Sequence, residues 1–244
     1  MLRRLLPVDR YIFQKINRQL NLGLDYTLNR DAVSLLHSIF VEREYAPFFP
    51  FYREATIVDI GAHYGYFTLF ALKNTQPSSR FFCIEPSPDN FEVLEKNLAA
   101  QQSTAIQCLN LAIARTSGPQ QLYTGPSYNH SLFSDTKEGK TIPVKGLSVD
   151  DLLEELAVEK VDFLKMDCEG AEYPALLHCS SEALDKIQTI ALEFHDLRST
   201  GFTPNDLIQR LRQQGFEIVQ YTFDTDYSYS NLNFGKIIAT KNPS

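Results

Sequence analysis

Along the 244-residue chain, apolar positions recur at two spacings. Up to about residue 53 they fall at helical intervals, with Leu5, Ile12, Ile16 and Leu20, then Val33, Leu36, Ile39 and Phe40, separated by turn-forming residues at 21–23. This stretch, 1–53, reads as a helical N-terminal extension. Its aromatic, proline-containing end at 45–52 suits a cover over a core edge or a cofactor pocket. From residue 54 to 244 the spacing changes to short continuous apolar runs, each followed by a turn and a helix-like stretch. Strands are expected at 56–60, 80–84, 105–109, 161–166 and 189–194. Helices are expected at 66–73, after the Ser87-Pro88 cap, after the Ser148 cap, and from 204 to 214, where Gly215 ends the last of them. Apolar runs alternating with helices imply parallel strands with both faces covered. The final runs, 216–221 and 234–240, have no helix between them and should pair antiparallel. About 115–147 the rhythm breaks at several glycines and prolines, with β-like pieces at 121–124 and 141–145, as for an inserted hairpin or flap.

Composition narrows the class. Hydrophobic residues at 43% and charged residues at 22% suit a folded domain with a sizeable core and exclude a fibrous or low-complexity chain. With 23 Lys and Arg against 30 Asp and Glu the formal charge is −7, which disfavours nucleic acid as a partner. Cysteines 83, 108, 168 and 179 form no C-x-x-C pair and read as free thiols in a reducing compartment. No apolar run reaches the 18 or so residues of a membrane span, so a cytoplasmic protein without one is expected.

Four strings carry chemistry. The first strand runs into V-D-I-G-A-H-Y-G-Y-F at 58–67, where glycines let the backbone approach a ligand and the following helix offers free N–H groups. His63 occupies the position where a dinucleotide fingerprint needs its second glycine, so NAD and FAD lose ground to a cofactor without a pyrophosphate. Glu85 ends the next strand and can accept from both hydroxyls of a ribose, and Pro86 follows it. The third string, K-M-D-C-E-G-A-E at 165–172, ends a buried strand in three acids, an expensive place for carboxylates without a task. In the fourth, Glu193-Phe194-His195, two-residue alternation puts Glu193 and His195 on one side of a strand.

These strings, with N-L-A-I at 110–113, resemble the FkbM family of S-adenosylmethionine-dependent methyltransferases, in the family's order and over about residues 43–240. The resemblance implies a Rossmann-like class I methyltransferase fold: α/β, a seven-stranded mostly parallel sheet with an antiparallel last strand, and helices on both faces. It also implies O-methylation of a hydroxyl on a small-molecule acceptor, a sugar or a polyketide or peptide natural product. The cofactor-binding positions it marks are Asp59, Gly61, Ala62, His63, Gly65, Tyr66, Glu85, Pro86, Ala112 and Asp167, with Ala112 near the adenine and His63 standing where the family usually has Asn. His195 is the expected base, because its intrinsic pKa lies nearest neutrality, with Glu193 or Glu169 orienting the imidazole and Asp167 accepting from the hydroxyl. A divalent cation held by Asp167, Glu169, Glu193 and His195 is the minority alternative. No metal is expected, because no sequence-local ligand pattern supports one. A methyltransferase fold serving only as a scaffold is the competing class. The aromatic and polar residues of the insertion, Tyr123, Tyr128, Asn129, His130 and Phe133, and of the last loop, Tyr227, Tyr229, Asn231 and Asn233, suit either an acceptor pocket or an ordinary surface hairpin.

Overall fold

The computed structural model describes residues 7–101, 103, 105–124, 130–133, 140–195, 201–224 and 234–241. Helix α1 (Pro7–Leu20) is followed by the short α2 (Tyr26–Asn29), a 3-10 turn, α3 (Val33–His37) and a π turn. The sheet then begins with β1 (Thr56–Ile60), α4 (Tyr66–Asn74), β2 (Arg80–Ile84), α5 (Pro88–Ala99) and β3 (Ile106–Leu109). Three strands, β4 (Ala112–Ile113), β5 (Gly118–Tyr123) and β6 (Thr141–Leu147), form a separate small sheet in the order β4-β6-β5. In it β5 and β6 pair antiparallel and β4 joins β6 in parallel. After them come α6 (Val149–Glu155), β7 (Phe163–Met166), α7 (Glu172–Leu177), α8 (Ser181–Asp185), β8 (Thr189–His195), α9 (Pro204–Gln213), β9 (Glu217–Asp224) and β10 (Phe234–Thr240).

The main sheet has seven strands in the order β3-β2-β1-β7-β8-β10-β9. The first five are parallel and β10 is antiparallel to both its neighbours, as the missing crossover helix requires. This is the expected doubly wound α/β architecture. Strand positions agree with the apolar runs within a few residues; the largest differences are a β7 that starts two residues late and a β9 that continues to Asp224.

Side-chain alternation divides the core in two. Val58, Ile60, Leu164, Met166, Leu192 and Phe194 face α6, α7, α8 and α9. Ile57, Phe81, Phe163, Ala191 and Ile238 face α4, α5 and the N-terminal helices. On this second face Phe49 makes edge contacts with Phe51, Phe67, Phe70 and Phe163 at centroid distances of 5.0–6.1 Å. A buried amide network joins the elements: Asn29 Oδ1 accepts from Tyr66 Oη at 2.9 Å and from Asn97 Nδ2 at 2.8 Å, and Asn97 also donates to the Tyr64 carbonyl. The same alternation puts Asp59, Lys165, Glu193, His195 and Lys236 on this face, near the carboxyl ends of the parallel strands, where open α/β sheets place their ligands.

Candidate active site

The turn after β1 is closed by its backbone. Gly61 N and Ala62 N both donate to the Ile84 carbonyl at 2.9 Å, and Gly65 N donates to the Ala62 carbonyl at 2.7 Å. Gly61 has φ +73° and packs so tightly on the next loop that a Cβ there would lie 1.7 Å from the Asp167 carbonyl oxygen. A Cβ on Gly65 would come within 2.7 Å of Leu94 Cδ1 on α5. His63 is left-handed as well, at φ +51°, a conformation that Asn, Asp and His enter more readily than other side chains, so histidine is accommodated. Its N–H donates to Glu85 Oε2 at 2.8 Å while its ring stacks on Tyr64.

Glu85 is buried at the end of β2, and its Oε1 accepts from Ser87 N at 3.0 Å and Asn90 Nδ2 at 3.4 Å. Burial raises its pKa to about 7 in spite of the hydrogen bonds from Ser87, His63 and Asn90. Oε1 thus accepts twice, while Oε2, bonded by His63 N alone, keeps a lone pair for a ribose hydroxyl. Asn110 donates to the carbonyls of Glu85 and Pro86, which draws the 110–112 segment, with buried Ala112, beside them.

Two positions act differently from their sequence reading. The Tyr66 side chain turns away from the turn into the Asn29 network, so only its backbone at the start of α4 is offered to a ligand. Asp59 is 1% exposed; it accepts from Thr68 Oγ1 at 2.8 Å and lies 3.4 Å from Lys165 Nζ, which braces the turn from beneath. Burial raises the Asp59 pKa against the opposing influence of Lys165 and Thr68. Lys165, to which the sequence reading gave no role, sits directly across from Asp59 in the β1/β7 register and donates to the Gly61 carbonyl at 2.7 Å. Burial alone would lower its pKa, but Asp59, Asp167 and Glu193 outweigh that and raise it.

Beyond β7, fully buried Glu172 clasps the acid loop, accepting from Cys168 N and Gly170 N at 2.8 Å each. It also lies 3.4 Å from His195 Nδ1. The other ring nitrogen, Nε2, faces Glu193 Oε1 at 3.8 Å and Glu169 Oε2 at 3.9 Å. Asp167, Glu193 and His195 bring one ligand-capable atom each within 4.8 Å of one another. Burial would lower the His195 pKa, yet Glu169, Glu172 and Asp167 hold it well above the usual histidine range. Carboxylates on both sides of the ring thus favour its charged form. Burial and Asp167 push Glu193 up to about 7, opposed by His195 and Lys236.

Two further residues line the cluster: Lys236, which no sequence pattern marks, and Tyr45, from the aromatic end expected to cover a core edge or a cofactor pocket. Lys236, paired with Glu193 across the β8/β10 register, lies 3.5 Å from Glu193 Oε2 and also bonds Glu44. Tyr45 sets its ring 6.0 Å from Lys165 Nζ and 5.4 Å from Lys236 Nζ. Burial, Asp167 and Glu193 raise its hydroxyl pKa well above the ordinary value. The end of the N-terminal extension thus walls the acid cluster. From the insertion, Ser131 Oγ donates to the Glu169 carbonyl at 2.6 Å. Tyr128, Asn129, Tyr227, Tyr229, Asn231 and Asn233 lie outside the described residues.

A strand-to-helix glycine turn, a ribose-accepting acid on the next strand and an acid cluster two strands along together define a class I methyltransferase. Solved structures agree on the fold: the METTL16 methyltransferase domain covers 97% of this chain and 80% of its own with a TM-score of 0.53 at 14% identity. Precorrin-6y C5,15-methyltransferase from Geobacter metallireducens GS-15 covers 83% and 88% with a TM-score of 0.50 at 12% identity. The methyltransferase FkbM domain model matches residues 59–218, and the chain belongs to that family. Among curated relatives, Methyltransferase 1 of Beauveria bassiana (strain ARSEF 2860) is 26% identical over 234 residues, 86% of this chain and 90% of its own. Hexuronic acid methyltransferase AglP of Haloferax volcanii is 27% identical over 171 residues, 69% and 67% respectively. The chain is a methyltransferase, and S-adenosylmethionine is its methyl donor. The site fits that donor: Glu85 Oε2 keeps a lone pair for the ribose, and the turn is glycine where a Cβ would collide.

Proposed function

We propose that the protein transfers the methyl group of S-adenosylmethionine to a hydroxyl of a small, polyhydroxylated acceptor, a sugar or a polyketide or peptide natural product. The observation that carries the reading is the packing of Gly61 on the Asp167 carbonyl, which sets the cofactor turn against the acid–histidine cluster. Cofactor contacts fall to the backbone of Gly61, Ala62, His63, Gly65 and Tyr66, to Glu85 for the ribose, to Pro86 and Ala112 beside the base, and to Asp59 and Asp167 near the amino-acid end. The name of the Haloferax volcanii relative supports a sugar acid as acceptor, and Methyltransferase sdnD of Sordaria araneosa, 24% identical over 196 residues, is a further methyltransferase relative. A net charge of −7 favours a small molecule over a nucleic acid.

Transfer from a sulfonium is an in-line displacement, so most of the acceleration comes from holding the acceptor oxygen against the methyl carbon. The hydroxyl proton passes to the cluster of Asp167, Glu169, Glu193 and His195, where the imidazole or a neighbouring carboxylate takes it up. General-base help of this kind is worth roughly 10²–10⁴-fold.

Isothermal titration with S-adenosylmethionine tests the cofactor site: micromolar binding that both Asp59→Ala and Glu85→Ala weaken is expected. Absence of binding by folded protein would leave a scaffold with a methyltransferase fold. His195→Gln should lower kcat at least tenfold with little change in cofactor affinity, and an unchanged kcat would remove His195 from the cluster's catalytic role.

A further inference from the structure

We infer that Asp167, Glu193 and His195 form a binding site for one divalent cation of the Mg²⁺ or Mn²⁺ kind. The inference rests on the proposed function, since it assigns a cation to the cluster where the acceptor hydroxyl is handled. Three observations carry it.

The first is spacing. His195 Nε2 stands 3.8 Å from Glu193 Oε1 and 3.9 Å from Glu169 Oε2, too far for hydrogen bonds. Two ligands about 2.1 Å from a shared ion lie about 3.0 Å apart when adjacent and about 4.2 Å apart when opposite, so these separations fall inside that range. The 4.8 Å limit on the Asp167, Glu193 and His195 trio requires only a small contraction on binding.

The second is orientation. The His195 side chain is 11% exposed, and its Nδ1 faces Glu172, whose oxygens are fixed by two backbone N–H groups. A buried carboxylate behind an imidazole, turning the far nitrogen toward other carboxylates, is the outer-shell arrangement that supports histidine as a metal ligand.

The third is charge. Glu44, Asp59, Asp167, Glu169, Glu172 and Glu193 outnumber the two lysines set among them, Lys165 and Lys236, while His195 would bind an ion as the neutral imidazole. The lysines do not use up the cluster: Glu193 turns Oε2 to Lys236 and Oε1 to His195. One nitrogen and two carboxylate oxygens suit a hard or borderline ion. A six-coordinate ion would keep open positions for acceptor oxygens, and acceptors with two neighbouring oxygens would gain most.

The test uses the full chain, stripped with EDTA and saturated with S-adenosylmethionine. Mn²⁺ is titrated by calorimetry, with electron paramagnetic resonance of the bound ion as a second readout. One Mn²⁺ per chain is expected, weakened at least tenfold by His195→Gln and by Glu193→Gln, and roughly 10–100-fold by Glu172→Gln, which replaces the carboxylate behind the imidazole. Failure of the folded, cofactor-bound wild type to bind Mn²⁺, or binding that none of the three substitutions weakens, would overturn the cation site. Cofactor binding in EDTA is measured in the same experiment: its retention without Mn²⁺ binding sinks the cation alone, whereas its loss sinks the methyl-transfer reading as well.

Discussion

Gly61 is the residue on which turn and acid loop meet. Gly61→Ala would combine a left-handed backbone with a Cβ only 1.7 Å from the Asp167 carbonyl oxygen. A loss of about 3 kcal/mol or more is expected, read as a fall in Tm of roughly 6–12 °C for a domain of this size. A variant that melts with the wild type would show that the loop relaxes freely. Glu85 gives a pH signature. Its folded pKa of about 7 lies above the ordinary 4.5, so ionisation is easier in the unfolded chain. The group's stabilisation of the cofactor-free fold is complete below 4.5, declines as pH rises toward 7 and is flat above, a span on the order of 3 kcal/mol. Thermal melts from pH 5 to 8 should show a steeper decline in wild type than in Glu85→Gln; equal slopes would contradict the assignment.

Among the elements, α2 has four residues and little intrinsic stability, and it is held by the Asn29 amide. Asn29→Ala would leave Tyr66 Oη and Asn97 Nδ2 buried without that acceptor, at a cost of about 2–3 kcal/mol in chemical denaturation. A change under about 0.5 kcal/mol would mean that water replaces it. Elements were legible where a local rule governs them. Apolar runs marked the parallel strands, Ser87, Ser148 and Gly215 marked helix ends, and two-residue alternation placed Glu193 beside His195. What escaped depends on register. Lys165 faces Asp59, and Lys236 faces Glu193, only because particular strands pair in a particular alignment, which no local pattern encodes. The upward shift of the His195 pKa escaped for the same reason, since Glu169, Glu172 and Asp167 reach it from the segment that follows the neighbouring strand β7.

At the scale of the whole molecule, the N-terminal helices share a core with the sheet. Tyr45 and Phe49 pack on Phe67, and Phe49 also meets Phe70 and Phe163. The extension, 1–53, and the domain that follows it thus share apolar packing. A chain beginning at residue 54 should lose its cooperative thermal transition and bind a hydrophobic dye, and a sharp native-like melt would establish an independent domain.

The place of β10 has a consequence for assembly. It lies between β8 and β9, so β9 can join the main sheet only through a strand that follows it in sequence. Without β10, β8 would present an open edge of unpaired N–H and C=O groups together with apolar side chains. A chain in which β10 cannot pair would leave that edge adhesive, so damage to β10 should show as aggregation, read by light scattering of the purified protein.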